Sequence, residues 1–171
     1  QGSIPEAIEL YRRYLALVPD DADACSEIGS LYLVVGRPEE AFFNLDKSVR
    51  LDPENLLARK QMVKAAMQLG RFDDALSEID EHLIPATPDD ARLYWLKGHC
   101  LKATGEESLA LEARNSAFAQ DSTNPVYAYD LASLSMKTRS INWAEARDIL
   151  NQPVLHDPTN PDAYVARARW I

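Results

Sequence analysis

Asp23-Ala24-Cys25-Ser26-Glu27-Ile28-Gly29-Ser30-Leu31-Tyr32 runs on to Gly36, then Glu40-Ala41, then Leu51-Asp52-Pro53, and the same skeleton returns about 34 residues later. Gly36, Gly70 and Gly105 recur at spacings of 34 and 35, and Ala7, Ala41, Ala75 and Ala110 at 34, 34 and 35. Proline closes the unit at Pro19, Pro53, Pro88 and Pro158. Self-similarity at such a period marks stacked supersecondary units, each too small to bury its apolar face alone. The count divides the chain into half a unit at 1–21, whole units at 22–55, 56–90, 91–124 and 125–160, and half a unit at 161–171. These read as one continuous array, and the two half units imply that it is a piece of a longer one.

Within a unit, with Ala22 as position 1, positions 4, 7, 8 and 11 fall on one face of a first helix and pack inside. Small residues recur at position 8 (Gly29, Val63, Gly98, Ala132, Ala168) and, on a second helix, at position 20 (Ala7, Ala41, Ala75, Ala110, Ala146). Small side chains at those places let two helices approach closely. Helix starts are signalled by Asp20 or Asp21, Thr87-Pro88, Asn124-Pro125 and Asn160-Pro161. A unit of this length and pattern resembles the tetratricopeptide repeat family over the whole chain. The resemblance implies an all-α fold, a right-handed superhelical solenoid of antiparallel helix pairs, A and B.

The departures from the family pattern carry expectations of their own. Its usual Trp at position 4 is replaced by Cys25, Arg59, Tyr94, Ala128 and Tyr164. At position 27, where a small residue is usual, stand Tyr14, His82 and Pro153. Pro153 lacks an N–H and crowds the preceding turn, so it is expected to shorten or kink helix B of the unit 125–160 and make that unit the irregular one. Two extra residues fall in the A–B turn of the same unit, around Arg139-Ser140-Ile141-Asn142, and the following Trp143 reads as a packing residue.

Composition narrows the function. Hydrophobic residues make up 46% and charged residues 26%, which excludes a disordered or collagen-like chain. The net charge of −9 argues against broad attraction to nucleic acid or anionic membrane. No apolar run approaches the roughly 18 residues that span a bilayer. Phosphate-loop, zinc-protease and nucleophile-elbow patterns are missing. Cys25 and Cys100 read as small buried hydrophobes. His82 falls at a helix-packing position and His156 in a turn between repeats, with no carboxylate at a metal-ligand spacing. No metal, cofactor or catalytic residue is therefore expected.

Positions 2, 5, 9 and 12 of helix A form a second stripe, which in the tetratricopeptide family lines a concave groove. Its 19 residues hold five Lys or Arg (Lys60, Lys64, Arg92, Lys102, Arg169) and two Asp (Asp23, Asp162), a net of +3, which leaves −12 elsewhere. The candidate partner-binding residues are Lys60, Lys64, Met67, Arg92, Trp95, His99, Lys102, Tyr129 and Met136. Guanidinium and ammonium groups around Trp, Tyr and Met suit an extended acidic peptide or a carboxylate terminus. The carboxylate clamp by which family co-chaperones hold chaperone tails does not match. One register offers Ser26, Ser30, Gln61, Arg92 and Leu96, and the next Lys60, Lys64, Leu96, Val126 and Asp130. The resemblance implies a non-enzymatic protein-interaction scaffold. The alternative is an accessory array of a larger enzyme or of a bacterial secretion or exopolysaccharide-export machine. Head-to-tail self-association is also expected, from the apolar faces of the half units: Ile8, Tyr11 and Leu15 in one, Tyr164, Ala168 and Ile171 in the other.

Overall fold

A computed structural model describes residues 3–170, so Gln1, Gly2 and Ile171 lie outside the described residues. Regular structure in it is entirely helical. Two compact units are present, Gln1–Ala86 and Thr87–Ile171. The first holds α1 (Ile4–Leu17), α2 (Ala22–Val34), α3 (Pro38–Leu51), α4 (Leu56–Gln68) and α5 (Phe72–Glu78). The last of these runs on through a π-helical stretch, Ile79–Leu83, into a final turn, Ile84–Ala86. The second unit holds α6 (Ala91–Thr104), α7 (Glu107–Gln120), α8 (Pro125–Lys137), α9 (Trp143–His156) and α10 (Pro161–Ala168). Within each unit every helix packs on the one before it.

The A helices start at side-chain caps. Asp21, Asn55, Asp90, Asn124 and Asn160 accept the otherwise orphaned N–H groups of Ala24, Ala58, Arg92, Val126 and Asp162. Asp90 thus replaces the expected Thr87-Pro88 as the cap of α6, and Thr87 sits in the turn before it, its carbonyl accepting from Asp90 N. The A helices end in a shared reversal. Gly36, Gly70 and Gly105 adopt positive φ, and the next residue donates back across the last turn, Arg37 N to Tyr32 O, Arg71 N to Ala66 O and Glu106 N to Leu101 O. In the fourth pair Arg139 takes the left-handed place at φ 56°, and Ser140 N closes the same bond to Ser135 O.

Close approach of A and B is set where the repeat places its small residues. A Cβ on Gly29 would lie 2.6 Å from Leu45 Cγ, and one on Gly98 3.2 Å from Ala110 O. Ala41, Ala75, Ala110 and Ala146 are fully buried. The core of the first unit gathers Ile8, Ile28, Tyr32, Leu45, Val49 and Met62, and that of the second includes Ala132, Ala146 and Leu150. Ser48, fully buried, donates to Ala22 O at 2.8 Å and ties the end of α3 to the start of α2.

The irregular helix is not the one the sequence points to. Helix α9 keeps 14 residues with Pro153 buried inside it, the same length as α3 and α7. The Pro153 carbonyl still accepts from Asp157 N, so the proline costs the ladder its own bond to Ile149 and no more. The disturbance falls in α5 instead. Unit 56–90 is one residue longer than unit 22–55, and a π turn absorbs a single inserted residue without breaking the helix.

Candidate functional site

Among the nine candidate residues the exposed ones are all on α6, where Arg92, His99 and Lys102 are exposed and Trp95 is half-buried. Its geometry is decided from behind. Trp95 Nε1 donates to Asp130 Oδ2 at 2.6 Å, and Arg114 Nη1 stands 2.8 Å from the same oxygen. Arg114, only 4% exposed, comes from α7 at the place where α3 has its core leucine, Leu45. Gly98 leaves the space that its stem needs, since a Cβ there would lie 3.0 Å from Arg114 Cγ. The Nε of Arg114 is buried without a hydrogen-bond partner.

This arrangement fixes the indole. With its N–H committed to a neutralised carboxylate, Trp95 offers a partner its ring, flanked by His99 at 6.2 Å and Tyr127 at 6.3 Å between centroids. Burial raises the Tyr127 hydroxyl above its ordinary pKa, Asp121 adds to the rise and Arg92 opposes it. Arg92 is thus close enough to this aromatic group to be felt electrostatically. Asp130, Arg114 and Tyr127 were not among the residues expected from sequence. An arginine at a position held elsewhere by leucine was the available signal, because a buried guanidinium requires a carboxylate.

Tyr129 and Met136 are half-buried and pack on the cluster of Ala132, Ala146 and Leu150 together with Trp170, whose indole N–H donates to Ser133. In the first unit Lys60, Lys64 and Met67 lie half-buried along α4, and Lys64 Nζ donates to Gln61 Oε1 at 3.0 Å. Three of the nine candidate residues therefore belong to the first unit and six to the second.

Trp143 packs only in part: it is 62% exposed and stands edge-on to Trp170, 4.6 Å between centroids. His82 is exposed rather than packed, and a carboxylate does stand near it, Glu78 Oε1 at 4.0 Å from Nε2. Glu78 is instead held by Arg59 at 2.8 and 3.1 Å, Arg59 being buried at the position of the family's tryptophan. His156 closes α9 rather than sitting in a turn. Among the described residues no group of three His, Cys, Asp or Glu could hold a metal ion. Cys25 and Cys100 are buried, and burial pushes the Cys100 thiol up to about 11. No described helix is long and apolar enough to cross a membrane.

Comparison with known proteins agrees with this geometry. MamA (residues 41 to the end) from Desulfovibrio magneticus RS-1 superposes with a TM-score of 0.81 at 19% identity, over 94% of this chain and 89% of that one. YrrB, described as a tetratricopeptide protein with an unusual peptide-binding site, superposes with a TM-score of 0.76 at 21% identity, over 96% of this chain and 84% of that one. These likenesses concern the fold. BBSome complex member BBS4 of Bos taurus is 30% identical over 78 residues, 46% of this chain, and the match spans only 15% of that relative's length. Tetratricopeptide repeat family models match residues 1–55 and 33–100. With the helix pairs, the small-on-small contacts and the repeated reversal already described, these matches establish that the chain belongs to the tetratricopeptide repeat family.

Proposed function

We propose that the chain is a non-enzymatic protein-interaction scaffold whose helix-A stripes bind an extended acidic segment of a partner protein. The observation that carries the reading is α6, where Arg92, His99 and Lys102 stand exposed around a tryptophan held from behind, on a chain of net charge −9. A fixed indole beside guanidinium and ammonium groups loses little rotamer entropy on binding, which is the usual make-up of an interface hot spot. Lys60, Lys64 and Met67 extend the same use to the first unit. Service within a larger assembly is the second reading, favoured by the 78-residue likeness to a member of the BBSome complex.

Fluorescence anisotropy with labelled extended peptides, acidic and neutral, tests the proposal. Binding of acidic peptides is expected to fall about tenfold or more in Arg92→Glu/Lys102→Glu, with a flatter salt dependence, because two rim charges are reversed. Glu112→Lys, on an exposed face of α7, is the control. Equal losses in both variants, or binding indifferent to peptide charge, would remove the stripe from consideration.

A further inference from the structure

All six arginines of the first unit, Arg59 and Arg71 among them, stand against a carboxylate, as a chain of net charge −9 would lead one to expect. Arg92 and Lys102 on α6 depart from that pattern: both are exposed, and neither has a carboxylate partner among the described residues. Arg92, Trp95, His99 and Lys102 follow one another at steps of three, four and three residues, which keeps them on one face of the helix. At the rise of an α-helix the two cations are about 15 Å apart along the axis, with the indole and the imidazole between them. The corresponding face of α8, made by Val126, Tyr129, Ser133 and Met136, carries no cation. A segment crossing from α6 to α8 would therefore leave its counter-charges behind, whereas one running along α6 meets both.

An extended chain advances about 3.3 Å per residue and turns alternate side chains to opposite sides. Four residues, about 13 Å, thus match the separation of the cations and return to the same side. Three or five residues turn the second side chain away. We infer that α6 reads a partner segment extended along it, with an acidic residue, an apolar one two places on and a second acidic residue two places after that. The inference rests on the acidic-segment reading above and narrows it to one spacing. The carboxylates take Arg92 and Lys102 in charge-assisted contacts, and the side chain midway faces Trp95. That ring suits an apolar occupant, because its N–H is already donated to Asp130 Oδ2 and its carbon face is what remains, bounded by His99 at 6.2 Å and Tyr127 at 6.3 Å between centroids.

Fluorescence anisotropy of the 171-residue chain with labelled peptides of one composition tests the inference. Each peptide has two glutamates and a phenylalanine between them in a serine and threonine background, and the glutamates stand three, four or five residues apart. The four-residue spacing is expected to bind about fivefold more tightly than the other two, the worth of one additional exposed ion pair. Lys102→Ala should abolish that advantage and weaken the other two peptides less. Lys102 is exposed, so circular dichroism of the variant should match wild type. Moving the phenylalanine one place along, to the far side of the strand, should weaken the four-residue peptide by about fivefold as well. Equal binding at all three spacings, or a preference for four that survives Lys102→Ala, would overturn the spacing and leave acidic-segment binding in place. Failure of every one of these peptides to bind would overturn both.

Discussion

Replacing Gly29 by alanine sets two effects of opposite sign against each other. In an exposed helix interior the change favours folding by about 1 kcal/mol, through helix propensity. At this position the new methyl would stand 2.6 Å from Leu45 Cγ and 3.0 Å from Leu45 Cδ2, with Ala41 O at 3.3 Å. Carbon atoms rest about 3.5–4 Å apart, so Leu45, which is fully buried, must move by most of an ångström or α2 and α3 must separate. Overpacking of that size costs roughly 1–3 kcal/mol. Taking the upper part of the range, the net loss is about 2 kcal/mol, or a fall in Tm of about 4–8 °C for a chain of this length. Removing the obstacle reverses the sign. Leu45→Ala alone should cost about 2–5 kcal/mol by leaving a cavity, and on that background Gly29→Ala should stabilise by about 1 kcal/mol. The coupling is then about 3 kcal/mol, large for two residues in contact. Urea unfolding followed by circular dichroism measures all four proteins. Trp95, Trp143 and Trp170 all lie in the second unit, so tryptophan fluorescence in the same experiment reports that unit separately. A neutral Gly29→Ala, or an equal effect on both backgrounds, would refute close approach as the reason for glycine.

Three further outcomes follow from the same geometry. Arg139→Gly should leave stability unchanged or raise it by up to about 1 kcal/mol in thermal melts, because it relieves a left-handed residue that the other turns give to glycine. Asp130→Asn should cost about 3 kcal/mol by leaving the Arg114 guanidinium buried without its counter-ion, and Arg114→Leu/Asp130→Asn should recover most of that in urea titrations. The Cys100 thiol titrates near 11 when folded and lower when unfolded, so unfolding releases a proton between those values. Stability should then fall as pH rises from about 9 to 11, by less in Cys100→Ala than in wild type.

The fold was legible because each unit solves one packing problem with the same few residues. Gly29 and Ala41, or Gly98 and Ala110, are informative from sequence since the contact between them tolerates almost nothing larger. The turn glycines are readable for a different reason: a left-handed residue is needed to reverse the chain, and only at Arg139 does the rule yield. Pro153 did not shorten its helix, because α9 loses only one ladder bond there and the ring is buried, whereas one inserted residue in unit 56–90 has to go somewhere and becomes the π turn that follows α5.

What periodicity could not reveal is where a polar side chain at a core position sends its charge. Four residues after the alanine of helix B stand Leu45, Ile79, Arg114 and Leu150, and all four are buried. Three of them need only space. Arg114 needs an anion as well, and its answer lies 16 residues further along, on another helix, at Asp130. A buried ion pair is a poor means of gaining stability compared with the leucine it replaces, so its presence behind Trp95 is better understood through what it holds. The carboxylate that neutralises Arg114 also takes the indole N–H, and an acidic group that would otherwise repel an acidic partner is thereby turned inward. The charge on the open face of α6 is then that of Arg92 and Lys102, beside a ring held in place, which is what the proposed binding of an acidic segment would use.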